Sequence, residues 1–174
     1  NAAIEIVPHL LLRESSADPL SPIERAALRQ QLGIPESAFV IASFGLMSEA
    51  KRLEVALAAF AGLRERVADA LFYLVGDTSP FVGLENLLAG ELGEGVVVTG
   101  RQDMDSFVAY MQAVDVAITL RFPSGGETSG TALRLLGLGQ TVVVSEVGWL
   151  AEIPDGAAVK VPVDDREEQT LRAA

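Results

Sequence analysis

Short apolar runs and longer amphipathic stretches alternate along this chain from residue 39 onward. The short runs are typical of buried strands, whereas the longer stretches repeat apolar residues every three or four positions, as on one face of a helix. Strands are predicted at residues 39–44, 71–75, 96–99, 114–120, 141–144 and 158–161. Helices are predicted at residues 50–67, 82–91, 103–112 and 128–138, with a short one at 147–153. This alternation predicts an α/β fold, a Rossmann-like doubly wound parallel sheet of about six strands.

The two ends of the chain carry further local patterns. Ser21, Pro22 and Glu24 form a helix start, with a serine N-cap, a proline in the first turn and an acid at the third position. Gly33 and the proline that follows it predict the end of that helix. Near the other end, the acidic residues at 164–165 and 167–168 are interpreted as a solvated acidic surface.

Composition excludes several classes of function. The 174 residues are 49% hydrophobic, yet no apolar run reaches the ~18 residues that a membrane helix needs, and no signal peptide is visible. The chain has no cysteine and a single histidine, His9, so we expect no thiolate or histidine metal site. The net charge of −11 argues against nucleic acid as a partner, because such binding needs basic residues that neutralise phosphates.

Familiar nucleotide and hydrolase motifs are also missing. The chain has no GxGxxG, no GxxxxGK[ST] and no GxSxG, and residues 126–130 read GETSG, with threonine where a nucleophile would lie. The polar residues instead follow the predicted strands, at the sheet edge where α/β proteins bind ligands. Gly45, Lys51 and Arg52 follow the first strand. Cations in the first turn of a helix oppose its dipole, which favours an anionic ligand such as a diphosphate over ordinary solvated side chains.

The later strand ends supply further candidates. Gly76 follows the second strand, Arg101 the third and Arg121 the fourth, although the glycine is also compatible with a simple turn and the arginines with surface charges. A loop then leads into a helix with the residues Gly126, Glu127, Thr128, Ser129 and Gly130. A glycine loop at a helix N-terminus favours a phosphate-bearing ligand, and Glu127 is interpreted as a contact to hydroxyl groups, or else as a plain helix cap. Trp149 is interpreted as a packing residue, with stacking on a ligand ring as the alternative, and His9 is expected at a domain junction.

These motifs together resemble the C-terminal, donor-binding domain of retaining GT-B glycosyltransferases. The resemblance runs through IVPHLLL, FGLMSEAKRLEVALAAFAGL, LFYLVGD, VVVTGRQDMDSFVAYMQAVDVAITLRFPSGGETSG and GQTVVVSEVGWLAEIPDG. Lys51 matches the family's diphosphate-binding lysine and Glu127 its sugar-binding glutamate, but Leu46 stands where an arginine is usual. Whether Arg52 compensates is left open. The ribose-binding glutamate is missing, since its position holds Leu135, or Arg134 if one residue is deleted.

The resemblance implies a function for the whole enzyme. Residues 1–20 would be an interdomain segment, 21–165 the nucleotide-sugar-binding domain and 166–174 the start of a C-terminal helix or linker. A hexosyl group would pass with retention from a nucleotide-diphosphate sugar to a glycan or lipid-linked acceptor, with Lys51 and Glu127 as catalytic residues and no metal or other cofactor. The acceptor would bind an N-terminal Rossmann-like domain outside these residues. The GETSG variant resembles bacterial surface-polysaccharide enzymes, which implies a cytoplasmic location or one peripheral to the inner membrane.

The same residues also bear on two other classes of protein. A non-catalytic binding module of the same fold is favoured by Leu46 and by the missing second glutamate, and opposed by Lys51 and Glu127. A flavodoxin-like or receiver-like signalling domain needs an acidic cluster after the first strand, where this chain has Gly45, Leu46 and Met47. The receiver-like class is therefore rejected.

Overall fold

The computed structural model describes residues 19–174. Most of the predicted interdomain segment, including His9, lies outside the described residues. Within these residues, six strands form one sheet: β1 (Val40–Phe44), β2 (Leu71–Val75), β3 (Val96–Gly100), β4 (Val116–Thr119), β5 (Val142–Ser145) and β6 (Val159–Val161). All neighbouring strands are parallel, and their order is β3-β2-β1-β4-β5-β6. The predicted Rossmann-like fold class is confirmed, and the strand order reverses between β1 and β4.

In the part of the chain that the structure describes, six α-helices flank the sheet: α1 (Pro22–Gln31), α2 (Leu53–Arg64), α3 (Leu84–Leu88), α4 (Met104–Ala113), α5 (Gly130–Gly137) and α6 (Glu167–Ala173). One apolar core lies between the sheet and α1, α4 and α5, and includes Phe44, Met111 and Leu135. The second core lies on the opposite face against α2, α3 and α6, and includes Leu57 and Leu171. The sheet is therefore covered on both faces, which explains its nearly continuous apolar strands.

Three predicted helices differ from the observed ones. The predicted helix 50–67 is divided into a 3₁₀ turn, Glu49–Lys51, and α2, because Arg52 between them is in the left-handed conformation. The predicted helix 82–91 is divided into α3 and a 3₁₀ turn, Glu91–Gly93, with Gly90 before that turn. The short segment near Trp149 is a 3₁₀ helix, Gly148–Glu152. Helical periodicity predicted each region, but not the breaks within it.

The start of α1 confirms the predicted cap, since the Ser21 hydroxyl accepts from the Glu24 N–H and the Glu24 carboxylate accepts from the Ser21 N–H. A charged cluster fixes α1 against the sheet at the amino end of β4. The Asp115 carboxylate accepts from Arg25 at 2.8 Å and from Arg29 at 2.7 Å, and it also accepts the Val40 N–H at 2.7 Å. Burial alone would raise the pKa of Asp115, but these hydrogen bonds outweigh it and lower the pKa. This cluster is structural, because it lies at the edge opposite to the carboxyl ends of the strands.

The interpretation of the acidic C-terminal stretch as solvated is wrong for Glu167. Its side chain is 2% exposed and forms an ion pair with Arg52, because α6 packs on α2 through Leu171 and brings its first residue onto the start of α2. Asp164, Asp165 and Glu168 are exposed as expected.

Candidate functional site

The candidate residues gather at the carboxyl edge of the sheet, where β1 and β4 lie side by side. Gly45 follows β1, Gly76 follows β2 and Arg121 comes two residues after β4. Parallel pairing places these strand ends at one edge, so residues far apart in the chain become neighbours. In open α/β sheets the crevice at such a reversal of strand order is the usual ligand position.

The edge is lined by two glycine backbones in close contact. Gly45 has φ +97° and Gly76 has φ +140°, conformations that side chains rarely permit. A Cβ atom at Gly76 would lie 2.0 Å from the Gly45 carbonyl oxygen, so no other residue fits at Gly76 without movement. The Gly45 N–H donates to the Val75 carbonyl at 2.9 Å, which holds the turn in place. The absence of side chains here leaves backbone accessible to a ligand.

The N-terminus of α5 faces the same turn. Ser129 caps the helix by accepting from the Ala132 N–H at 3.2 Å, and Gly130 is its first residue. The Thr131 hydroxyl lies 3.4 Å from the position of a Cβ on Gly45. The positive end of the α5 dipole is therefore close to Gly45, an arrangement that favours a phosphate group.

Lys51 places a cation beneath this edge. Its side chain is 7% exposed, and its Nζ donates to the Phe44 carbonyl at 2.7 Å. Among residues 19–174, no carboxylate lies within ion-pair distance of it. Burial, followed by the charge of Arg121, lowers the pKa of Lys51 to about 8. An ammonium has three N–H donors, and only one of them is used by Phe44, so two remain for an anion. A buried cation without a counterion is typical of a functional site.

Arg121 and Glu127 form the other half of the site. Their side chains pair at 3.0 Å, Nη1 to Oε1. The Arg121 N–H donates to the Ser145 hydroxyl at 2.9 Å, and the next N–H, of Phe122, donates to the Ala50 carbonyl at 2.8 Å. The loop after β4 is thus attached both to β5 and to the turn that carries Lys51. The pKa of Glu127 is lowered chiefly by a hydrogen bond from its own backbone N–H, and then by the charge of Arg121. The carboxylate therefore stays ionised as a hydrogen-bond acceptor.

A cleft extends the site across the ends of β1, β2 and β3. It encloses about 350 Å³ and is lined by Gly45, Leu46, Gly76, Asp77, Arg101, Gln102, Met104 and Phe107. Arg101 lies close enough to Asp77 to lower the pKa of that carboxylate, after the larger effect of hydrogen bonds from Ser79. The predicted candidates Gly45, Gly76 and Arg101 are therefore brought together in one cleft.

The remaining candidates divide by position. Gly126, Thr128, Ser129 and Gly130 belong to the loop and the first turn of α5, beside Glu127. Arg52 is not brought to the diphosphate position, because its guanidinium is held by Glu167. Leu46 is 58% exposed at the cleft, so the structure provides no arginine there and no support for compensation by Arg52. All of these donor-binding roles stay predictions.

Two other positions of interest lie away from the cleft. Trp149 is half-buried, packs against the core beneath α5 and lines a separate groove with the end of α5 and the start of β6. Leu135, where the resemblance places a ribose-binding glutamate, is completely buried in the core. Arg134 is partly exposed on α5, one turn after Thr131.

Sequence reasoning missed three features of the site. The Phe44 carbonyl is a hydrogen-bond acceptor for Lys51, the Thr131 hydroxyl lies 3.4 Å from the position of a Cβ on Gly45, and Asp77 lines the cleft together with Arg101. The polar residues directly after β2 were a signal for Asp77, since they follow a strand as the other candidates do. No local pattern marks a backbone carbonyl or the contact of Thr131.

Residues 19–174 contain no group of three or more His, Cys, Asp or Glu side chains that could hold a metal ion. Within the same residues, no helix is long and apolar enough to cross a membrane.

Comparison with solved structures supports the same architecture. Sucrose-phosphate synthase from Thermosynechococcus elongatus superposes with a TM-score of 0.72 at 24% identity, over 86% of this chain and 38% of that one. HepE from Anabaena, solved in complex with UDP-glucose, gives a TM-score of 0.72 at 21% identity, over 92% and 43%. The lipopolysaccharide glycosyltransferase WaaG gives a TM-score of 0.70 at 22% identity, over 88% and 42%. The chain thus spans about two-fifths of the length of these proteins, and the likeness concerns their fold.

A family comparison covers most of the chain. Among the curated proteins, none matches this chain. The family model described as glycosyl transferases group 1 matches residues 38–174, from the start of β1 through α6. The resemblance to glycosyltransferases is therefore confirmed at the level of the family, and the chain belongs to the glycosyl transferases group 1 family.

Proposed function

We propose that this chain is the donor-binding half of a retaining glycosyltransferase that takes a hexosyl group from a nucleotide-diphosphate sugar. The single observation that carries the proposal is Lys51, a buried ammonium without a counterion among the described residues, held at the carboxyl edge where β1 and β4 lie side by side. The HepE structure named above was solved with UDP-glucose, which supports a donor of that class. The acceptor would be a glycan or a lipid-linked glycan in bacterial surface-polysaccharide synthesis, bound by an N-terminal domain of the same protein.

In the proposed reaction the bond between the sugar C1 and the diphosphate oxygen breaks, and the diphosphate leaves with both bonding electrons. Lys51 and the positive end of α5 stabilise the negative charge that builds up on the leaving oxygen. The acceptor hydroxyl forms the new bond to C1 on the face that the diphosphate leaves, and its proton passes to the diphosphate. Glu127, ionised beside Arg121, accepts hydrogen bonds from sugar hydroxyls and orients the ring.

The backbone of Gly45 and Gly76 supports the same proposal. Without side chains, this turn lets phosphate oxygens approach the backbone and the first turn of α5. The cleft of about 350 Å³ next to it has room for the rest of the nucleotide. Its lining combines exposed apolar side chains, Leu46 and Met104, with the polar Gln102.

Isothermal titration with UDP, GDP and ADP tests the proposal. The Lys51→Ala variant is expected to lose roughly 1.5–3 kcal/mol of diphosphate affinity, the range of a hydrogen bond to a charged group. Lys160→Ala is the matched control, because Lys160 is the other lysine of the chain and pairs with Asp155 away from the site. Equal affinities for wild type and Lys51→Ala would contradict the proposed role of Lys51.

A second candidate function is a binding module that has lost transfer activity. Leu46, exposed at the cleft, and Leu135, buried in the core, favour it, because neither can supply the arginine or the glutamate that the family resemblance implies. In that case the nucleotide still binds, but a full-length protein turns over no donor sugar. Release of UDP or GDP from a labelled nucleotide-sugar separates the two functions.

A further inference from the structure

Arg52 has a backbone conformation that arginine rarely adopts. Its φ of 51° and ψ of 43° are left-handed, and it is the single non-glycine residue with positive φ in residues 19–174. Glycine would adopt this conformation without the steric cost that a Cβ brings. The residue joins the 3₁₀ turn that carries Lys51 to the start of α2. The steric cost of an arginine at this joint therefore has to be offset by an interaction of its side chain.

That interaction is with Glu167 on α6. The Arg52 Nε lies 2.9 Å and 2.7 Å from the two carboxylate oxygens, and Nη2 also contacts the carboxylate. Glu167 is 2% exposed, whereas the Arg52 side chain is 27% exposed. The position of α6 is fixed independently by buried Leu171 and by Arg172, which lies over Gly62 of α2. Glu167 thus holds Arg52 from a helix that has its own contacts with the domain.

Arg52 also contacts the second half of the donor site. Its guanidinium carbon lies 5.7 Å from the centroid of the Phe122 ring. Phe122 directly follows Arg121, and its N–H donates to the carbonyl of Ala50, the residue before Lys51. The Glu167–Arg52 pair therefore lies next to the contact between the Lys51 turn and the loop that carries Arg121 and Glu127.

We propose that the Glu167–Arg52 pair positions the donor site, because it holds the 3₁₀ turn that carries Lys51, Glu49–Lys51, in contact with the loop after β4. Neither residue contacts the diphosphate in this proposal. Arg52 acts through Phe122 and through the turn, so that the Lys51 ammonium stays on the Phe44 carbonyl. The expected effect on nucleotide affinity rests on the proposed function, whereas the expected effect on the position and pKa of Lys51 does not.

The decisive variant is the double substitution Arg52→Gly with Glu167→Gln. It removes both charges together, so no buried charge is left unpaired, and glycine suits the left-handed joint. The unfolding temperature should stay close to that of wild type. The measured quantity is the pKa of Lys51 from ¹³C-lysine NMR, where the only other lysine, Lys160, is the internal reference. The wild-type midpoint of about 8 should rise toward 10.5, because a loosened turn lets water reach the ammonium while Arg121 is unchanged.

The second measurement is UDP affinity by titration calorimetry. The double variant should bind UDP about tenfold more weakly, since a displaced Lys51 would lose part of its charge-assisted hydrogen bond to the diphosphate, and tenfold corresponds to about 1.4 kcal/mol. Glu168→Gln, in the exposed pair on the same helix, should leave both the Lys51 midpoint and the affinity unchanged. Arg52→Lys keeps one cation but not the guanidinium fork, and should give an intermediate UDP affinity. It is compared by calorimetry, since it adds a third lysine signal to the NMR spectrum, and it serves as the test if the double variant does not fold.

The outcomes separate the two proposals. An unchanged Lys51 midpoint together with unchanged UDP affinity in the folded double variant would show that the pair only stabilises the fold, and would overturn this inference. A Lys51 midpoint that rises in a chain that binds none of UDP, GDP and ADP would support the positioning role and contradict the proposed function instead.

Discussion

Replacement of Lys51 by methionine should stabilise the protein at neutral pH, although it would weaken nucleotide binding. Burial and Arg121 lower the pKa of Lys51 from 10.5 to about 8. One pKa unit corresponds to about 1.4 kcal/mol, so keeping this ammonium charged in the folded chain costs about 3 kcal/mol at pH 7. Loss of its hydrogen bond to the Phe44 carbonyl offsets about 1–2 kcal/mol of that gain. We therefore expect Lys51→Met to be about 1–2 kcal/mol more stable than wild type.

The sign of the effect depends on pH. Below pH 8 Lys51 is charged in both the folded and the unfolded chain, so the folded wild type carries the whole cost. Between pH 8 and pH 10.5 the folded chain has lost the proton and the unfolded chain has kept it, so the stability of wild type rises relative to the variant. The advantage of Lys51→Met should shrink by about 2 kcal/mol between pH 7 and pH 9.5.

Urea unfolding followed by circular dichroism at the two pH values measures this difference. Lys160→Met is the control, because Lys160 pairs with the exposed Asp155, so removal of its charge should not raise the free energy of unfolding. A Lys51→Met variant that is less stable than wild type by the same amount at both pH values would refute the reasoning, since it would show an ordinary, solvated lysine. A stabilised variant would instead show that the fold carries a free-energy cost at this position, as residues kept for function often do.

Three further predictions concern separate parts of the molecule. Glu127→Gln in the full-length enzyme should reduce sugar transfer at least tenfold, or by about 1.4 kcal/mol, while UDP affinity holds, because a carboxylate favours sugar hydroxyls over a diphosphate. Transfer at the wild-type rate would contradict that role and leave Glu127 only its ion pair with Arg121, since Ser129 already caps α5. Gly76→Ala should lower the free energy of unfolding by more than about 2 kcal/mol, because its Cβ would overlap the Gly45 carbonyl. The control is Gly83→Ala, where φ is also positive but the space is open, and it should lower the free energy of unfolding by about 1 kcal/mol. Equal losses in the two variants would disprove the overlap. Asp115→Asn should destabilise the fold by about 2 kcal/mol at pH 7. Because the folded pKa of Asp115 is lowered, that difference should disappear as the pH falls well below 3.8, and a difference independent of pH would contradict the role of its charge.

The sequence was sufficient for the elements and for the class of fold. Strand and helix periods are local properties, and five of the six predicted strands agree with the observed bounds to within one residue at each end, as β2 at Leu71–Val75 shows. The capping box at Ser21 and Glu24 was equally predictable, since it depends on residues three positions apart. The position of candidate residues after strands followed in turn, because parallel strands end at one edge.

Only the tertiary structure separated Lys51 from Arg52. The two cations are adjacent in sequence, and the local pattern assigned both to the diphosphate. The left-handed turn at Arg52 leaves the Lys51 ammonium on the Phe44 carbonyl, but directs the neighbouring guanidinium to Glu167, 115 residues further along the chain. Burial of an ion and the identity of its partner depend on which distant segments pack together. No local pattern of the sequence records that packing, so the partners of these two side chains were decided by the fold.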